Sequence, residues 1–147
     1  MKYVGKWIFH SVGIPNDENE MVFLGADEYL NSPMPYIDTD DSEAVADEIK
    51  ERKQIIGGIM EICDDGKLYM LMPLPQGVTK KEIDEAVAEG YIKLRDGMMT
   101  DEPKPWEERD GELWLEVGTG MSDDGWVKLS ENEEYLTFMT VRYIKAE

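Results

Sequence analysis

Cysteine is almost missing from this chain: Cys63 is the only one in 147 residues. Neither an intramolecular disulfide nor a cysteine-built metal site can therefore form. Histidine is equally scarce. His10 is the sole candidate base for a Ser-His-Asp relay, and no Gly-x-Ser-x-Gly turn supplies a nucleophile. Positive charge is short as well, with 15 Lys and Arg against 33 Asp and Glu, a formal net charge of -18. Between Trp7 and Ile49 there is no Lys or Arg, while eleven acids fall there. Such a surface repels phosphate backbones and anionic lipid, so neither a nucleic acid nor a membrane is expected as a partner. No apolar run approaches the ~18 residues of a spanning helix, and the first residues lack a signal peptide's basic and apolar regions. The expectation is a cytoplasmic, acidic protein. The chain has no internal repeat and no low-complexity segment.

What remains describes a packed domain. Hydrophobic residues make up 41% of the chain. A length of this order buries about 70% of the unfolded surface in one domain, here residues 1–147. Residues 3–12, Tyr-Val-Gly-Lys-Trp-Ile-Phe-His-Ser-Val, alternate apolar and polar positions, the mark of a strand with one face buried. Residues 55–63 and 67–72 read as two strands joined at Asp64-Asp65-Gly66, with Gly57-Gly58 as a bulge or bend in the first. Three further Asp-Gly pairs, at 96-97, 110-111 and 124-125, each flank a strand-like run. Residues 103–106 read as an extended connection, and 135–144 as one long closing strand. Such punctuation predicts antiparallel β-structure.

Residues 42–53 read as a helix capped by Asp41 or Ser42, with acids in its first turn and Lys50, Arg52 and Lys53 in its last. Val45 and Ile49 give it a narrow apolar stripe, suited to a lid held weakly on a barrel rim. Residues 79–89 read as a second helix, opened by a Thr-Lys-Lys-Glu capping box and stopped at Gly90. Residues 21–24 are a strand or the start of a lid, and 26–31 allow one helical turn or two.

The Gly-x-Trp entry at Gly5 and Trp7 resembles the first strand of the calycin superfamily, the barrels that include lipocalins and fatty-acid-binding proteins. The opening Tyr-Val-Gly-Lys-Trp and the closing Thr140-Val141-Arg142-Tyr143-Ile144-Lys145 look most like the latter. The resemblance implies an up-and-down antiparallel β-barrel of eight to ten strands with two short helices. It also implies barrel closure by Gly5, Trp7 and Arg142, with the arginine plane over the indole face. Fatty-acid-binding proteins hold their carboxylate with an Arg-x-Tyr pair. Here Arg142 and Tyr143 are adjacent and point to opposite faces.

The chemistry is sparse. The Asp38, Asp40, Asp41, Glu43 cluster fails as an EF-hand loop, with Glu43 where glycine belongs and Ile49 where the bidentate Glu belongs. Helix capping accounts for it. No spacing singles out a pair of carboxylates for glycoside cleavage. Cys63, beside Asp64 and Asp65, is expected to be an inert thiol. No cofactor is called for and no catalytic constellation appears, so the expectation is a protein that is not an enzyme.

Two functions are open. The first is a carrier or sensor for a small apolar ligand, neutral or cationic because no cation is left inside for a carboxylate. Phe9, Leu68, Met70, Met72, Leu113, Leu115, Val117 and Phe138 would line its interior. The methionines, among them Met98, Met99, Met121 and Met139, suit an adaptable pocket and an ordinary core equally. The second is an accessory protein with a filled barrel, whose acidic surface meets a basic protein partner. Interior space discriminates: ~300 Å³ or more favours the carrier.

Overall fold

A computed structural model describes residues 2–35, 37–75, 77–120, 122–132 and 134–146; Met121 lies outside them. The fold is mainly β, a curled antiparallel sheet with three helices in its connections. The strands are β1 (Gly5–Pro15), β2 (Met21–Leu24), β3 (Ile59–Ile62), β4 (Lys67–Met72), β5 (Lys93–Arg95), β6 (Met98–Thr100), β7 (Lys104–Arg109), β8 (Glu112–Glu116), β9 (Trp126–Lys128), β10 (Leu136–Phe138) and β11 (Val141–Lys145). The helices are α1 (Ala26–Leu30), α2 (Ser42–Ile56) and α3 (Lys80–Ala88).

The eleven strands and three helices among the described residues exceed the eight to ten and two expected above, and the reasons are local. The run at 26–31 does become a helix, α1. Ile55 and Ile56 belong to α2, so Gly57-Gly58 ends a helix rather than bending a strand. A Cβ on Gly57 would sit 2.4 Å from the Pro73 ring, so only glycine allows that approach. Residues 104–109 form β7, paired with β4 and β8, where a connection was expected to begin. The expected single strand at 135–144 is a hairpin, β10 and β11, turning on Met139-Thr140. Both turn residues take positive φ, 50° and 68°, without a glycine or asparagine between them. That turn carried no signal in the sequence because its residues are the wrong ones for it.

The mismatch can be tested. Left-handed backbone costs an ordinary L-residue ~1–2 kcal/mol, and a β-branched threonine is poorly suited to it. Met139→Asn combined with Thr140→Gly is expected to stabilise the fold by ~1–2 kcal/mol in urea unfolding. No gain would mean that the turn is not strained.

The Asp-Gly pairs behave as read. Asp96-Gly97 and Asp110-Gly111 both adopt positive φ and close the two-residue loops of β5–β6 and β7–β8. This is the type I′ geometry whose twist matches that of the flanking strands.

β1 organises the sheet. Its first half pairs with β3, from Gly5↔Ile62 to Ile8↔Ile59, and its second half with β2. β11 runs along its other edge, with a register shift between Phe9 and Ser11. The bulge breaks the alternation, so Ser11, Val12 and Gly13 are buried in succession. The order β10-β11-β1-β3-β4-β7-β8-β9 carries eight strands, with β2 attached to β1 and the β5–β6 hairpin attached to β4 through β6. Beyond β9, Ser130 forms an antiparallel bridge with Leu136 of β10, and Thr137 donates its amide to the Leu129 carbonyl at 2.7 Å.

The concave face holds one cluster, in which Trp7, Met60, Ile62, Leu68, Trp106, Leu113, Leu115, Leu129, Leu136, Val141 and Tyr143 are all buried. Tyr29 of α1 belongs to it. Among the described residues no helix is long and apolar enough to cross a membrane.

Candidate functional site

The eight residues expected to line a ligand site do not stand alike. Leu68, Leu113 and Leu115 are fully buried among core side chains. Phe9, Met70, Val117 and Phe138 are partly buried and packed against that core. Met72 lies past its end, 41% exposed. The fold thus gathers seven of them in or against the core and leaves Met72 at its margin.

The expected pairing of Arg142 with Trp7 does not form. Trp7 is in register with Lys145, whereas Arg142 is in register with Ser11, further along β1. The Arg142 guanidinium lies 3.5 Å from the Phe23 ring centre and 5.1 Å from that of Tyr135, and pairs with Glu131 at 2.9 Å. Adjacent strand residues face opposite ways, so the burial of Tyr143 in the core turns Arg142 outward. The basic residue at the Trp7 end is Lys145. Its Nζ donates to the Lys2 carbonyl at 2.9 Å, and its stem passes beside Gly5. Trp7 is anchored by its indole N–H, which donates to the Tyr3 carbonyl at 2.9 Å. Gly5 and Trp7 therefore do lie together at one end of the sheet, and the basic residue in register with Trp7 is Lys145, whose Nζ is held by the Lys2 carbonyl.

Among the described residues, clefts open at the margins of the curled sheet, three of which bear on the expected site. One of about 560 Å³ lies at the Trp7 end, between Lys2, Tyr3, Asn132, Glu134, Ile144 and Lys145. A second, about 380 Å³, runs between the last turns of α2 and the Pro73-Leu74-Pro75 segment. The third, about 190 Å³, is lined by Met70, Met72, Tyr91, Ile92, Met99, Thr100 and Asp101. None of the three is lined by Leu68, Leu113 or Leu115.

A buried arginine was missed by the sequence reading. Arg52 is 2% exposed. It donates to the carbonyls of Tyr29 at 2.7 Å, Ser32 at 3.0 Å and Pro33 at 3.2 Å, to the Ser32 hydroxyl at 2.8 Å, and to Glu48 at 3.0 Å. These carbonyls lie at and just beyond the C-terminal end of α1, where a cation also complements the helix dipole. α2 is thus tied to α1 by a desolvated charge network, whereas the expectation was a weak stripe of Val45 and Ile49. A basic residue in the last turn of an acidic helix ordinarily reads as a solvated partner of its own dipole. Its burial follows only from where α1 lies.

Asp41 caps α2, accepting from the amides of Glu43 at 3.0 Å and Ala44 at 3.3 Å. Among the described residues no group of three His, Cys, Asp or Glu side chains is placed to hold a metal ion. Burial pushes the Cys63 thiol up, helped by Glu61 and opposed by Arg95, whose guanidinium lies 3.6 Å from the sulfur. His10 is exposed, its ring centre 4.7 Å from that of Tyr135, with Nδ1 2.9 Å from the Ser11 hydroxyl.

Burial raises the Tyr143 phenol from its ordinary 10.0 to about 12. Between those two values the folded chain keeps a proton that the unfolded chain releases, so stability should fall as pH rises across that window. Below the unfolded value the group adds no pH dependence. Tyr143→Phe is expected to flatten that part of the stability profile, measured by denaturant unfolding. An unchanged alkaline slope would show that other groups set it.

Compared with protein families, with curated proteins and with solved structures, the chain finds no match.

Proposed function

We propose that this protein is a non-catalytic accessory protein, a side-chain-filled barrel that meets a basic protein partner through its acidic surface. The observation that carries this is the filled interior. Met60, Ile62, Leu68, Leu113, Leu115, Leu129 and Leu136 are each 1% exposed or less and belong to one cluster. A ligand on the concave face would have to displace them, and each large buried side chain contributes roughly 1.5–3 kcal/mol by being there. The net charge of -18 then chooses the partner's sign.

The calycin-like barrel is part of the same reading. It is supported by the neighbour order of the eight main strands, by the Ser130–Leu136 bridge between the two ends of that order, and by the buried Trp7 on the first strand. A small-molecule carrier remains the second reading. The clefts of about 560 and 380 Å³ favour it, since both fall within the range of ligand pockets.

Native mass spectrometry separates the two. The accessory protein should leave its own cells at the mass of the bare chain, and should bind cationic peptides with an affinity that falls steeply as salt rises. A stoichiometric apolar adduct, retained on gentle desolvation, would overturn the filled-barrel reading in favour of the carrier.

A further inference from the structure

The concave face does not end where the core ends. Met72 and Met99 are cross-strand partners on β4 and β6, so their side chains share a face. Met70, two residues back, is on that face too and packs against the core. The three methionines carry the apolar surface outward from the core to the third cleft, where Tyr91 and Ile92 form the other wall.

Tyr91 is delivered there by the end of α3. Gly90 donates to the Val87 carbonyl at 3.1 Å and Tyr91 to the Ala86 carbonyl at 2.9 Å, the paired bonds of a Schellman stop. That motif usually seats its last side chain on the helix, yet Tyr91 is 77% exposed. α3 itself makes no sustained contact with another element among the described residues, although Ile83, Ala86 and Val87 lie on one side of it. Among the described residues, Val87, Leu94, Met72 and Tyr91 make up half of the exposed large apolar side chains, all within this stretch and the strand beside it.

The surrounding charge is predominantly negative beyond Lys80 and Lys81, which open α3 at the end away from Tyr91. From Glu82 to Glu102 there are seven acids and two bases. Both bases are taken, Lys93 by Glu102 and Arg95 by Glu61. Asp101 stands in the cleft wall.

We infer that this methionine-lined end of the concave face is a docking site for a basic amphipathic segment of another protein. One large apolar side chain of that segment would enter between Met72, Met99 and Tyr91, with flanking Lys or Arg toward Asp101 and the acids of α3. The inference rests on the accessory-protein reading and names its surface. At about 190 Å³ the cleft lies below the range of small-molecule pockets and has room for one large side chain. Methionines adapt to the shape of what enters, and aromatic anchors such as Tyr91 dominate interface energetics. A second copy of this chain is the wrong occupant, since it would bring together two surfaces of net charge -18.

The test is an amide chemical-shift titration with three probes. They are a Lys-rich helical peptide with Leu and Phe on one face, a scrambled peptide of the same composition, and the neutral dye Nile red. The amphipathic peptide should shift Met70, Met72, Tyr91, Ile92 and Met99, and the scrambled one should bind at least about tenfold more weakly. Tyr91→Ser and Asp101→Lys alter exposed side chains and should leave the fold intact. Each should weaken the amphipathic peptide by about tenfold.

Equal binding of the scrambled peptide, or shifts centred elsewhere with Tyr91→Ser silent, would overturn this site while leaving the accessory-protein reading standing. Failure of both peptides to bind would remove that reading and the site together. Nile red displacing the peptide from the same residues would make this a small-molecule site. A dimer in sedimentation that Tyr91→Ser abolishes would give the face to a second copy. Either result overturns the inference.

Discussion

Arg52→Ala is expected to cost ~3–5 kcal/mol of folding stability, the range for removing one partner of a buried charge network. For a fold of ordinary stability, ~5–15 kcal/mol, that is a third of the total or more. The loss comes from what is left behind. The carbonyls of Tyr29, Ser32 and Pro33 and the Glu48 carboxylate each lose a charged donor they meet at 2.7–3.2 Å. A buried polar group without its partner costs ~1–3 kcal/mol, and a charged one more. Arg52→Lys should recover only part of the loss, because an ammonium cannot spread its donors over three carbonyls and a carboxylate as a planar fork does. Amides of α1 and α2 should lose exchange protection before those of β1 and β3. A variant within ~1 kcal/mol of the parent would mean that water or a neighbour satisfies these groups at little cost.

Trp7→Ala should be comparably severe, ~3–5 kcal/mol, as usual for emptying the site of a large buried aromatic. Trp7 is 5% exposed and touches the core from the first strand. Its removal leaves a hole beside Tyr3, whose ring centre is 6.4 Å away, and orphans the Tyr3 carbonyl. Trp7→Phe separates the two losses. It keeps most of the apolar volume and gives up the N–H bond, so a cost of ~1–3 kcal/mol is expected. The large cleft at this end should also widen in the alanine variant, and a neutral apolar dye that ignores the parent should bind there. An alanine variant that melts with the parent would place the indole outside the core.

A large part of the fold was legible because its signals are local. The Asp-Gly pairs at 96-97 and 110-111 select the two-residue turn by what their backbones tolerate, and both turns formed. Asp41 capped α2 and Thr79 capped α3, since a cap needs only the next few amides. Alternation in residues 3–12 placed Trp7 and Phe9 on the inner face until the bulge before Ser11. The acidic charge needed no structure at all, since it is a property of the composition.

Only the tertiary structure decided the rest, because the deciding groups are far apart in sequence. Arg52 meets the carbonyl of Tyr29 across 23 positions, and nothing near Arg52 announces its burial. Lys145 instead of Arg142 stands at the Trp7 end because strand register, with its bulge, is set by the whole pairing of β1 and β11. The Met139-Thr140 turn uses residues that disfavour it, so the hairpin must be held by the pairing on either side and by the Gly13 amide on the Thr140 carbonyl at 2.7 Å. Met70 and Met72 looked alike in the sequence, two residues apart on one strand. Both line the third cleft, but Met70 also rests against the core while Met72 is left exposed beyond it, because burial depends on where the neighbouring strands stop.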